Sequence, residues 1–109
     1  MNIEELKKEK SYSYECNMNK EEYSKYRNHD EWGCAFVWLE DKDVGAEYNF
    51  CFDSGNSYCA IYKAITNSDG YLETDYSEYE HYDIDFDNDN WQEELENAMC
   101  EALIGFFKL

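Results

Sequence analysis

Apolar residues recur along this chain at two periods, and the change of period divides it. Ile3 and Leu6 give "NIEELKKEK" (2–10) one apolar edge, which predicts a short helix with Asn2 as its cap. "YSYEC" (12–16) alternates and predicts a first strand. Asn19 followed by Glu22 has capping-box spacing, so a second short helix is expected through Tyr23 and Tyr26 to about Asn28. The middle of the chain then turns β-branched and aromatic. "CAFVWLE" (34–40), "AEYNFCF" (46–52) and "YCAIYKAI" (58–65) predict three strands, with Tyr48, Phe50 and Phe52 on one face of the second. Turns are expected at "DKDVG" (41–45), "DSGNS" (53–57) and "TNSDG" (66–70). If Asp53 pairs with Ser57, Cys51 falls opposite Cys59 across the hairpin.

The last third is written differently. "YLETDYSEYE" (71–80) fits either period, because Leu72, Tyr76 and Tyr79 have helical spacing while tyrosine also suits a strand. "HYDIDFD" (81–87) alternates strictly and predicts a strand with Tyr82, Ile84 and Phe86 inward and Asp83, Asp85 and Asp87 outward. A helix is expected from about Asn90, capped by Asn90 with Glu93. Its buried stripe would be Trp91, Leu95, Ala98, Met99, Ala102 and Phe106, and Gly105 is expected to fray its end. The sum is one α+β domain over residues 1–109. It consists of an antiparallel β-meander of three to five strands, short N-terminal helices, and a C-terminal amphipathic helix packed on one face.

Composition supports a folded chain: 43% of its 109 residues are hydrophobic and 18% aromatic, despite 32% charged. No run is long and apolar enough to span a membrane, and "MNIEELKKEK" has no secretory h-region, so a cytoplasmic protein is expected. The five cysteines show no C-x-x-C and read as thiols.

Charge changes the picture most. The net charge is −17, where roughly 2–8 in magnitude serves the solubility of a small domain. Residues 1–31 carry six Lys/Arg against eight Asp/Glu; residues 32–109 carry three against eighteen. Between Lys63 and Lys108 there are thirteen acids and no base. Such a window repels itself, and a strongly basic partner is its natural complement.

Three chemistries compete for "YDIDFDNDNWQEELE" (82–96). As a calcium loop, Asp83, Asp85, Asp87 and Glu94 match an EF-hand frame, but asparagine stands where glycine belongs and the flanking alternation wants a strand. As an ordinary solvated strand face, the period is explained, yet aspartate is a poor strand former. As a phosphate-like surface, the choice of aspartate is explained too. Outward residues on a strand repeat at about 6.8 Å, near the spacing of neighbouring phosphates. Asp83, Asp85 and Asp87 would form one row. Asp89, Glu93, Glu94, Glu96 and Glu101 would extend it along the helix, and Tyr71, Tyr76 and Tyr79 would stack on arginines of the partner. Enzyme readings find no support: His29 and His81 sit in no triad pattern, and neither a phosphate loop nor zinc-ligand spacing occurs. No cofactor is expected. Direct nucleic-acid binding is disfavoured by the charge.

The helical start "MNIEEL", the meander 34–65 and the acidic block "DIDFDNDNWQEELE" together resemble small, acidic, phage-encoded DNA-mimic inhibitors of the anti-CRISPR type. The resemblance implies a non-enzymatic protein that binds one to one to the DNA-binding surface of a Cas nuclease such as Cas9. An immunity protein neutralising a basic nuclease toxin shares the same physics, and a calcium-binding module is the third alternative.

Overall fold

The computed structural model describes the backbone of residues 1–17, 31–53 and 56–109, and their side chains except at 31–33, 50–53 and 56–58. The helix expected at 19–28, and His29 after it, lie outside the described residues. Five strands form one antiparallel sheet in sequence order: β1 (Tyr12–Cys16), β2 (Glu31–Leu39), β3 (Val44–Asp53), β4 (Asn56–Thr66) and β5 (Leu72–His81). A short helix α1 (Ile3–Lys7) precedes the sheet and α2 (Trp91–Phe107) follows it. The expected α+β meander is thus the observed fold.

Local chemistry accounts for three of the boundaries. Asn2 accepts the Glu5 N–H at 2.9 Å and the Glu5 carboxylate accepts the Asn2 N–H at 3.3 Å, a reciprocal box that starts α1. A 3-10 turn, Glu40–Lys42, ends with Asp43 in the left-handed region (φ 57°) and reverses the chain into β3. At the β4–β5 turn, Asn67 Oδ1 accepts the N–H groups of Asp69 and Tyr71.

The strand period decides the layers. Ala35, Val37 and Leu39 of β2, Ala46 and Tyr48 of β3, and Cys59 and Ile61 of β4 face α2. The helix returns Trp91, Leu95, Met99, Cys100, Ala102 and Leu103, all buried. Burying one such large apolar side chain contributes about 1.5–3 kcal/mol. Tyr12 ties this layer to the sheet edge. Its hydroxyl donates to the Glu96 carboxylate and lies 3.3 Å from Cys100 Sγ, while Lys7 Nζ donates to Asn97 Oδ1 at 2.6 Å.

Several expectations change. The β3–β4 hairpin pairs Asp53 with Asn56, one residue tighter than expected, so Cys51 falls opposite Tyr58 and Phe50 opposite Cys59. The expected Cys51–Cys59 pair is therefore not formed, since a one-residue slip sends neighbours to opposite faces. The 71–80 segment resolves as strand, with an irregularity where Tyr62 and Lys63 face Tyr79 and Asp75. The 81–87 segment is not a strand: β5 ends at His81 and residues 82–90 run through irregular chain and turns. Gly105 does not fray α2, which continues to Phe107 and ends on Lys108 in the left-handed region (φ 53°). The buried stripe includes Cys100 and Leu103, which the spacing had not singled out; Ala98 and Phe106 are only half-buried. Among the described residues no helix is long and apolar enough to cross a membrane.

Candidate functional site

The acidic segment lies where β5 hands the chain to α2. It keeps the predicted in-out alternation without being a strand, because side-chain anchors replace a ladder. Tyr48 Oη, on a fully buried side chain, donates to the Tyr82 carbonyl at 2.7 Å, and the two rings meet edge to face at 6.0 Å. Phe86 and Trp91, each 6% exposed, pack ring against ring at 4.9 Å. Tyr82 and Ile84 are half-buried against the same core. Burial pushes both the Tyr48 and Tyr82 phenols up from their ordinary pKa, so both stay protonated and neutral near pH 7.

Between these anchors Asp83, Asp85, Asp87 and Asp89 are all exposed. Asp85 Oδ1 accepts the Asp87 N–H at 3.1 Å, and Asn88 Oδ1 accepts the Asn90 N–H at 3.0 Å, two successive side-chain turns. Asn88 Nδ2 also donates to Glu94 Oε1 at 2.9 Å. The helix start is therefore braced by Asn88. The expected Asn90–Glu93 cap does not form: Asn90 occupies the cap position with φ −96° and ψ 19°, and its side chain makes no capping bond. Glu93 and Glu94 still lie in the first turn, where the positive end of the helix favours them.

Of the ten residues expected to bind a partner, seven acids are exposed along this loop and helix: Asp83, Asp85, Asp87, Asp89, Glu93, Glu94 and Glu101. Glu96 is different. It is half-buried, accepts from Tyr12 and lies 3.8 Å from Lys7 Nζ, so its charge is already engaged inside the fold. Tyr76 and Tyr79 are exposed (65% and 48%) but belong to another surface. Both rings pack on Tyr62, at 5.0 and 5.7 Å, and Tyr62 follows helix-facing Ile61 in β4, so it faces away from α2.

The strand spacing of about 6.8 Å no longer applies to Asp83–Asp87, since that figure belongs to extended ladders. What the fold supplies instead is an acidic rim longer than expected. The edge strand β5 carries Glu73, Asp75, Glu78 and Glu80, and it leads directly into the aspartate loop. Charges on an edge also discourage pairing with another chain. Ser77 donates to Asp75 from both its hydroxyl and its backbone, which holds that carboxyl below its usual pKa. The basic counterpart is small: Lys63 bonds Glu78 at 3.2 Å and lies over the Phe107 ring.

Two contributors escaped the sequence reading. Tyr48 is invisible as a positioning residue until β3 and the 82–90 segment are brought together. Asn88 was legible in principle, as asparagine two residues before a helix cap. Among the described residues no three His, Cys, Asp or Glu side chains come together as a metal site, and Asp83, Asp85, Asp87 and Glu94 are not gathered into one. No family model, no curated protein and no solved structure matches the chain.

Proposed function

We propose that this chain is a non-enzymatic inhibitor that occupies the cationic nucleic-acid-binding surface of a target protein by DNA mimicry, as an anti-CRISPR protein acting in the cytoplasm on a Cas effector nuclease. One observation carries the reading. Across residues 64–107 the chain holds thirteen acids and no base, and seven of the acids anticipated for binding are exposed on one loop and the helix that follows it. Nothing in the described fold requires aspartate at 83, 87 and 89, whose neighbours do the anchoring; of the four, Asp85 has a structural bond as well, accepting the Asp87 N–H.

The mechanism needs binding alone. A groove lined by lysine and arginine holds condensed anions or nucleic acid; carboxylates entering it release those counterions, as phosphates do. Long-range attraction speeds encounter, and added salt opposes both effects. The aromatic anchors hold the loop in shape beforehand, so little ordering is left for the moment of association.

The test is charge reversal at Asp83, Asp87 and Asp89 to lysine, sparing Asp85 because its carboxylate accepts the Asp87 N–H. DNA binding and cleavage by a Cas effector nuclease are measured with the parent and the variant. The parent should inhibit, and inhibition should weaken at least roughly tenfold in the variant and steeply with salt in the parent. Unchanged inhibition by the triple variant sinks the mimicry reading.

A further inference from the structure

The face of the sheet turned away from α2 carries its own pattern. Strand register places Glu15 of β1, Phe36 of β2, Glu47 of β3, Tyr62 of β4 and Tyr79 of β5 in one row across all five strands. At about 4.8 Å between strands the row spans roughly 19 Å. Acid and aromatic alternate along its first four positions. Tyr76 joins Tyr79 over Tyr62 and leaves two exposed phenol rings at one end. At the other end Ser13, Glu15, Phe36, Trp38 and Leu72 line an open groove of about 240 Å³. The Trp38 ring is fixed there by its Nε1–H donating to Thr66 at 3.2 Å. The described strands contain a single lysine and no arginine, and that lysine, Lys63, packs on the α2 side against Phe107.

We infer that this open face is a second docking surface, which takes an arginine-bearing segment of the cationic partner. Guanidinium is the group this row matches. Its planar face stacks on an aromatic ring while its edge donates to a carboxylate, and it sheds water more readily than an ammonium. Lysine gains the charge attraction but not the stacking. Glu15 is exposed and open to such a donor; Glu47 already accepts from the Thr74 hydroxyl, which holds its carboxylate in place on the face. The row's net charge excludes a second copy of this chain as occupant, since two such faces would set carboxylates against carboxylates.

This inference rests on the partner being cationic, and octa-arginine and octa-lysine peptides separate the two ideas. Binding of each is measured by calorimetry near physiological salt, with amide shifts followed by NMR. The parent should prefer octa-arginine by roughly fivefold or more, with shifts at Phe36, Glu47, Tyr62 and Tyr79. Tyr76→Leu/Tyr79→Leu keeps an apolar cover over Tyr62 but removes the two exposed rings; it should reduce the preference while leaving octa-lysine binding unchanged. Its melting curve is recorded alongside, and Glu15→Gln, at an exposed site, should reduce the preference independently. Equal binding of the two peptides by the parent, or a preference undiminished in the double leucine variant, overturns the open-face inference and leaves the acidic-loop reading standing. No binding of either peptide overturns both.

Discussion

Gly45 offers the sharpest test of how the sheet is packed. It sits in β3, paired with Trp38 of β2 and Ala64 of β4. A Cβ added there would meet the Val37 carbonyl oxygen at 2.7 Å and the Leu72 side chain at 3.0 Å. Ordinary contact begins near 3.4 Å, and the carbonyl belongs to a strand with neighbours on both sides, so it cannot retreat freely. Overpacking of this kind costs about 1–3 kcal/mol. Against it stands the loss of unfolded-state freedom when glycine becomes alanine, which stabilises by about 0.4–1 kcal/mol. The clash wins, leaving Gly45→Ala about 1–2 kcal/mol less stable. A chain of this length unfolds with an entropy near 0.23 kcal/mol per degree, so Tm should fall by roughly 4–9 °C in a calorimetric scan. Leu72→Ala removes one of the two obstacles. In that background Gly45→Ala should cost less, by about 0.5 kcal/mol or more. Gly105→Ala is the control of opposite sign. It lies exposed within α2, a Cβ there meets nothing within 4 Å, and helix propensity alone should raise Tm by about 4 °C. A Gly45→Ala variant melting at or above the parent temperature refutes the packing argument.

Further outcomes follow from the charges and the buried hydroxyls. Tyr12→Phe removes the donor to Glu96 and should cost about 1.5–3 kcal/mol in urea unfolding, as for a hydrogen bond to a charged group; a loss below about 0.5 kcal/mol would mean that water replaces it. Burial raises the pKa values of Tyr12, Tyr48 and Cys100 above those of the unfolded chain. Their contribution is therefore whole below the unfolded thiol and phenol values and is lost as pH rises through the folded ones. Urea midpoints should hold to about pH 8.5 and decline above it, and a flat profile to about pH 10.5 would contradict this. With a net charge of −17, Tm should climb as NaCl rises from about 0.02 to about 0.5 M, and a fall would show that internal pairs outweigh repulsion.

Residue order alone determined much of this protein. The α+β class, α1 with its Asn2 cap, β1 and the three central strands all follow from local period and capping chemistry, which neighbours in sequence control. The inward set Tyr82, Ile84, Phe86 and Trp91 and the outward aspartates also follow, because alternation reports burial whatever the backbone does. Tertiary structure decided what alternation cannot express. It ended β5 at His81, since an in-out rhythm is kept equally well by a loop anchored through Tyr48 and the Phe86–Trp91 pair. It set the Asp53–Asn56 hairpin, and with it the separation of Cys51 from Cys59, because register depends on turn length. It drew Glu96 inward to Tyr12 and Lys7. It also moved Tyr76 and Tyr79 away from the acidic loop to the opposite face of the sheet, where Glu15, Phe36, Glu47 and Tyr62 complete a row. A row across five strands joins residues as far apart as 15 and 79, and no local period in the sequence records it.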